Sequence, residues 1–273
     1  MSRLGVLCGT GMKELHDAFP AQGSWRLVES TSIRCETPWG EVPVEIIQIS
    51  RGDSRFSIAF VQRHHSPTGK TTPPHSIEHR ANVHAVLSFH PHAVVSINAV
   101  GSLTPESPPG SISTAAHLLD FSGRVWTFDD SSAIHADMTN HFDAQLSAVC
   151  REVLADSQPS TPNVVVAQMT GPQFESVAEI EAIRRLGGDV VGMTLAAEAK
   201  LLGEARDHPS LRPGAIEGPE VRHIALPISS NWAAGSTPGD PDADIEHTEV
   251  VGLAASLHSR IWKCLLALLE SAE

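Results

Sequence analysis

The chain has 273 residues, enough to bury a sizeable core as a single α/β domain, although length alone would also permit two. Its 19 Lys and Arg against 32 Asp and Glu leave a net charge of -13, and no basic run supplies the positive stripe that a nucleic-acid surface needs. No stretch of about eighteen apolar residues occurs, and the start MSRLGVLCGTGMKELHDAF lacks a charged segment followed by a long apolar one, so the expectation is a cytoplasmic protein with no membrane partner.

Short β-rich apolar runs alternate with helical patterns, the mark of helices packed around one central sheet. In chain order the expected strands are Leu4 to Leu7, Val42 to Ile49, Ser57 to Arg63, Ala93 to Ala99, Asn163 to Met169, Asp189 to Met193 and His223 to Ile228. Most are continuous apolar runs, as strands covered on both faces should be. Helical spacing runs from Ile77 to Leu87, Leu146 to Leu154, Val177 to Leu186 and Val250 to Leu269; in the last, Leu253, Leu257, Ile261, Leu265 and Leu268 form one apolar stripe. Gly187 and Gly188 end the third helix, and Asp244 is the expected N-cap of the last. The stretches 206–220 and 235–244 are rich in Pro and Gly and read as loops. Cys8, Cys35, Cys150 and Cys264 form no CxxC pair and read as reduced, buried thiols.

The chemistry begins at Gly9-Thr10-Gly11, directly after the first strand, where backbone N–H groups and the Thr10 hydroxyl can surround an anion. Neither a dinucleotide fingerprint nor GK[ST] follows, so an ordinary tight turn is an equal reading. Arg63-His64-His65 closes another strand, where open α/β sheets place ligand-binding groups; standing alone, a surface-exposed polar strand end is the favoured reading. The run of histidines from His64 to His92 raises the question of a metal, but no HExxH or similar ligand spacing is present, and solvated or hydrogen-bonded side chains are expected.

Three further segments change the weight of these signals: Asn98 to Ser102, Gly171 to Glu179, and Gly192-Met193-Thr194 followed by Glu198. Together with the two motifs above and Asn231, in this order, they resemble the trimeric purine nucleoside phosphorylases and the related methylthioadenosine and methylthioinosine phosphorylases. The resemblance spans the chain. It implies one nucleoside phosphorylase domain over 1–273, with a central mixed sheet flanked by helices and an insertion at 206–220, and it implies a homotrimer.

The same resemblance assigns phosphate to Thr10, Arg63, His64, the backbone N–H of Ala99, and Thr194. Such a set offers many donors and no carboxylate, as a dianion requires. Met193 would lie against the ribose and Phe174 would wall the base; plain core packing is the alternative for both. Glu175 would accept the N1–H of a 6-oxopurine and Asn231 would bond its N7 and O6 side. Adenine carries no N1 hydrogen, so an ionised Glu175 would meet it acceptor to acceptor, a mismatch that sites of this kind reject by roughly 10⁴-fold. Read alone, Glu175 could be a helix N-terminal carboxylate and Asn231 a turn residue.

His135 matches a residue that enters a neighbouring subunit's site, and His247 one that binds a 5′-hydroxyl, which leaves 5′-hydroxyl and 5′-methylthio substrates both open. The sequence departs from the family pattern at Ala197, where a proline is usual, and at His65, which is glycine in the methylthio branch. The implied reaction is phosphate-dependent cleavage of inosine or guanosine to base and pentose 1-phosphate, with no metal or cofactor. The nearest alternative is a methylthioinosine or methylthioadenosine phosphorylase. A nucleoside-binding protein without catalysis would not need the anion set, and a Ser/His/Asp hydrolase lacks its GxSxG elbow.

Overall fold

Residues 2–20, 23–215 and 220–271 are described by the structure, a computed structural model; the side chains of residues 215 and 247–249 also lie outside the description. The sheet grows outward from Ser2–Cys8 (β1), which pairs in parallel with Ser54–Gln62 (β4) on one side and Ala93–Ser102 (β5) on the other. Arg222–Trp232 (β9) also runs parallel to β5, so these four strands bring their carboxyl ends to one edge. Trp25–Thr37 (β2) and Gly40–Arg51 (β3) extend one side as antiparallel strands. Val190–Gly192 (β8), Asn163–Gln168 (β7) and Thr114–Asp120 (β6) extend the other, completing a mixed sheet of nine strands in the order β2-β3-β4-β1-β5-β8-β7-β6, with β9 on β5.

Alternate residues of the central strands feed two separate cores, as a period of two demands. Val6, Ile58 and Phe60 face a core closed by the helices Ala144–Ala155 (α2) and His258–Glu270 (α6), while Leu7, Ala59 and Val61 face one closed by His79–Leu87 (α1) and Leu195–Asp207 (α4). Val177–Arg185 (α3) packs Ile180 and Ile183 near β7 and β8, and His247–Ala255 (α5) precedes α6. Among the described residues no helix is long and apolar enough to cross a membrane. Cys8, Cys150 and Cys264 are buried free thiols, and Cys35 is half-buried.

Every expected strand forms, but β2, β6 and α4 are additions. β2 is exposed over most of its length on both faces, so its sequence carries no buried alternation. α4 is buried nearly all round, which hides the one-sided period of a surface helix. The C-terminal pattern is two helices, not one: Ser256 caps α5 and α6 starts after Leu257. The residue at the N-cap of α5 is Glu246, in place of Asp244. After α4 the chain makes short 3-10 turns at Pro209–Leu211 and Pro213–Ala215 before residues that lie outside the description.

The histidines also depart from expectation. His79, His141 and His223 are buried, and neither ring nitrogen of His79 has a described hydrogen-bond partner. Burial, first of all, drives His79 and His141 down to about 3, with Arg63, His64 and Arg124 adding to the effect at His79 and Arg206 at His141. His223 falls well below the ordinary value for the same reason, reinforced by His141 and Arg206. These three rings are neutral when folded and charge when unfolded. Their contribution is complete above the unfolded value of 6.5 and is lost progressively as pH falls from there toward 3. Between pH 6.5 and 5 the melting temperature should therefore drop, with a slope of up to about 4 kcal/mol per pH unit if all three protons are taken up. Thermal scans across that interval check this; a flat profile would refute it.

Candidate active site

The carboxyl ends of β1, β4, β5 and β9 open into a cavity of about 920 Å³, the place where parallel sheets ordinarily bind ligands. It is lined by Thr10, Arg63, His64, Ala99 and Thr194 and equally by Phe174, Glu175, Met193 and Asn231. Two groups of residues far apart in sequence thus meet in one space.

At the floor, Arg63 is 1% exposed and Glu198, from the first turns of α4, is 0% exposed. Arg63 Nε donates to Glu198 Oε1 at 2.6 Å and Nη2 to Oε2 at 3.0 Å; Nη2 also donates to Leu7 O at 2.9 Å and Nη1 to Ile97 O at 2.7 Å. The expected donor set without a carboxylate is therefore incomplete as a description. The fork of Arg63 grips Glu198, and only an Nη1 hydrogen remains for a ligand. Burial pushes the Glu198 carboxyl upward, and the Arg63 guanidinium foremost pulls it back. Nη1 also explains Gly9: a Cβ there would lie 2.4 Å from it and 2.7 Å from Ile97 O.

Beside this pair, Thr194 sits at the N-terminus of α4 without capping it; its Oγ1 accepts from Asn98 Nδ2 at 2.9 Å, which leaves the hydroxyl hydrogen for the cavity. The short β8 runs antiparallel to the end of β5, pairing Val191 with Gly101, and this reversal returns Thr194 to Asn98. The helix N-terminus adds backbone donors to an anion-binding corner. His64 Nδ1 lies 2.8 Å from Thr72 O, which fixes that ring at the lip formed by the 66–74 loop.

Across the cavity, Glu175 precedes α3, whose N-cap Ser176 and Glu179 form a reciprocal capping box: Glu179 Oε2 accepts from Ser176 N at 2.8 Å. Glu179 thus caps the helix, and Glu175 is left for the cavity. Its Oε1 is buried without a described partner, and burial, foremost, raises its pKa; its own backbone N–H opposes this and Glu179 adds to it. Asn231 Nδ2 donates to Trp232 O at 2.7 Å and its Oδ1 accepts from Ser230 at 3.1 Å. Phe174 is 41% exposed, so it is a rim residue and not core packing. Gly171, at φ +67°, carries no Cβ where one would stand 2.4 Å from Met193 Sδ.

His135 is exposed in the 133–138 loop and does not line the cavity of its own chain. The side chain of His247 lies outside the described residues. Reading the sequence also missed Glu198 as a partner of Arg63, although a glutamate inside the apolar run Leu195 to Leu202 was a visible signal. It missed His258, whose Nε2 is 2.8 Å from Gly11 O, and the apolar patch of Ile245, Val250 and Val251. Among the described residues no three His, Cys, Asp or Glu side chains group as a metal site.

A cavity at the carboxyl edge of parallel strands, with hydroxyl, guanidinium and backbone donors on one side and a carboxylate and an amide on the other, is the arrangement of an α/β enzyme site. Residues 3–267 match the family model described as the phosphorylase superfamily, and the chain belongs to that family. It is 31% identical to the 6-oxopurine nucleoside phosphorylase of Pyrococcus furiosus over 277 aligned positions, covering 98% of this chain and 92% of that protein. It is 32% identical to a probable S-methyl-5′-thioinosine phosphorylase of Methanothermobacter thermautotrophicus over 86% of this chain and 73% of that one. A solved methylthioadenosine phosphorylase from Schistosoma mansoni with adenine superposes at a TM-score of 0.77 and 18% identity, covering 100% of this chain and 93% of that one, and shares the fold.

Removing one member of a buried ion pair leaves the other charged and unmatched, at a cost of about 3–5 kcal/mol, whereas replacing both by apolar residues is often neutral. Glu198→Leu should lower stability by that amount in urea unfolding, and Glu198→Leu combined with Arg63→Met should recover most of it. A single-variant cost below about 1 kcal/mol would contradict the pairing.

Proposed function

We propose that the chain is a phosphate-dependent 6-oxopurine nucleoside phosphorylase. The observation that carries this reading is the buried, unpartnered Glu175 Oε1 on the wall of the same cavity as Asn231 and the Arg63–Thr194 corner. A buried acceptor without a donor costs free energy, and the N1–H of hypoxanthine or guanine supplies the missing donor. The relatives named as 6-oxopurine nucleoside phosphorylases support the same choice.

In this reading phosphate is held by Thr10, His64, the Ala99 N–H, Thr194 and the remaining Nη1 hydrogen of Arg63, while the ribose rests on Met193. The C1′–N9 bond breaks with its electron pair leaving on the purine, and a phosphate oxygen bonds to C1′. Negative charge growing on the purine strengthens the bond that Asn231 Nδ2 donates to its N7 and O6 side, Glu175 holds the base in place through N1–H, and the charge of phosphate stabilises the electron-poor C1′. The products are a free base and a pentose 1-phosphate. Phosphate is the second substrate, and no step calls on a metal or another cofactor.

We place the enzyme in the cytoplasm as a homotrimer in which His135 reaches a neighbouring cavity. Residues 206–220 are an insertion within a single domain. One observation favours a second reading: Ile245, Val250 and Val251 give the cavity an apolar side suited to a 5′-methylthio group.

Inosine, guanosine, adenosine and their 5′-methylthio analogues, each with and without phosphate, separate these readings. Cleavage of the 6-oxopurine members only with phosphate is expected, and a preference for adenosine compounds would sink the assignment of Glu175. Glu175→Ala should lower kcat/KM for inosine by roughly a hundredfold or more while leaving the fold intact. Because burial raises the Glu175 pKa, protonation should cost activity at a pH above the ordinary carboxylate range as pH falls. That limb should vanish in Glu175→Gln, whereas a limb common to both proteins belongs to phosphate itself.

A further inference from the structure

Asp143 and Ser176, at the N-caps of α2 and α3, hold extended backbones with ψ of 113° and 159°, and their side chains accept from Leu146 N and Glu179 N. Thr194 occupies the same position on α4 and behaves otherwise. Its backbone stands at φ -137° and ψ -25°, and its side chain makes no capping bond. Threonine is one of the residues that ordinarily supply such a bond, so something else must serve the first turn of α4.

That group is Gln168, at the end of β7. Its Oε1 accepts from the backbone N–H of Ala196, the second residue of α4, at 2.5 Å. A backbone N–H only donates, so the oxygen of the amide must face it. The N–H at this place in a helix is one that a capping side chain normally takes, and here the acceptor comes from a strand 28 positions earlier in the chain. The sheet sets the reach: Gln168 is in register with Gly192 of β8, and Met169 N donates to Gly192 O at 2.9 Å, just ahead of Thr194. Gln168 is 2% exposed, so water does not compete for the bond.

Relieved of the cap, Thr194 Oγ1 accepts from Asn98 Nδ2 at 2.9 Å and keeps its hydrogen for the cavity. The two uses exclude each other. A capping rotamer folds the hydroxyl back over the N–H groups of the first turn, and the same oxygen then leaves Asn98. Without Gln168, Ala196 N would be a buried donor lacking an acceptor, and the N-cap hydroxyl is the group placed to take it.

We infer that Gln168 is a positioning residue: by capping α4 from the neighbouring strand, it releases the Thr194 hydroxyl for phosphate. This rests on the reading that Thr194 binds phosphate. That reading alone gives no role to Gln168, which is not among the residues lining the cavity.

Phosphate and nucleoside KM values for Gln168→Met, Thr194→Val and the double variant test this. Gln168→Met keeps the length of the side chain and removes its acceptor. It should raise the phosphate KM by roughly tenfold, the worth of one hydrogen bond to a charged ligand, and leave the nucleoside KM within about twofold. Thr194→Val alone should raise the phosphate KM by roughly ten- to hundredfold, but by less than about threefold in the Gln168→Met background, where the hydroxyl it deletes has already turned to the helix. A cap with a purely structural role would lower the melting temperature without this split or this non-additivity. An unchanged phosphate KM in Gln168→Met, equal changes in both KM values, or the same factor for Thr194→Val in both backgrounds would overturn the inference. If Gln168→Met does not fold, Gln168→Asn, whose amide stops one methylene short of Ala196, takes its place with the same expected split. Phosphate-induced shifts in melting temperature separate failure of the inference from failure of the parent reading. Wild type and Thr194→Val shifting alike removes Thr194 from the phosphate site, whereas a shift lost in Thr194→Val and kept in Gln168→Met refutes the role of Gln168 alone.

Discussion

The structure turns on one buried contact, the guanidinium of Arg63 clasped by Glu198. Two charges without water are tolerated only when their hydrogen-bonding capacity is met, and here the sheet meets it: Leu7 O and Ile97 O, from β1 and β5, accept from the same guanidinium. That demand fixes the surroundings. Gly9 must lack a side chain, α4 must enter the sheet edge at Glu198, and β4 must end at Arg63. A well-packed apolar cluster would stabilise this spot equally well. The ion pair is therefore better understood as equipment of the cavity than as a source of stability.

On the proposed reading, an anion would be recognised at short range. A chain carrying -13 does not attract phosphate from a distance, so the floor must succeed through donors a few ångströms from the ligand: hydroxyls, backbone N–H groups, a helix N-terminus and one guanidinium hydrogen. Glu198 neutralises Arg63 and leaves the corner with directed donors instead of a diffuse positive charge. The opposite wall works by the inverse rule. Glu175, half-buried with an unmatched oxygen, offers an acceptor to whatever ligand brings a hydrogen.

Much of this could be read in the sequence because continuous apolar runs followed by Gly-Thr-Gly, Arg-His or Asn-Ala-Val-Gly place polar groups at strand ends whatever the details of packing. The elements that escaped did so for physical reasons. β2 shows no inside and outside because both its faces meet solvent. α4 shows none because nearly all its residues are buried, including Glu198 and Glu204. The Arg63–Glu198 contact joins residues 135 positions apart, and nothing local in either segment marks the partnership. Glu179 is the instructive opposite: Ser176 and Glu179 sit three apart, and their capping box is a local matter that leaves Glu175 as the carboxylate available to a ligand.

The two halves of the cavity also differ in how freely they can change. The floor is woven into β1, β4, β5 and α4, and its charged groups are almost wholly buried, so a substitution there disturbs folding as well as the cavity. The wall is different: Glu175 stands outside the first turn of α3 beside exposed residues, and Asn231 lies at the end of β9 beside Trp232. A substitution at these positions removes little buried contact. The relatives named as 6-oxopurine nucleoside, S-methyl-5′-thioinosine and S-methyl-5′-thioadenosine phosphorylases differ in the substrate of their names. On the proposed reading, the contacts that choose the base lie in the part of the cavity that the fold constrains least.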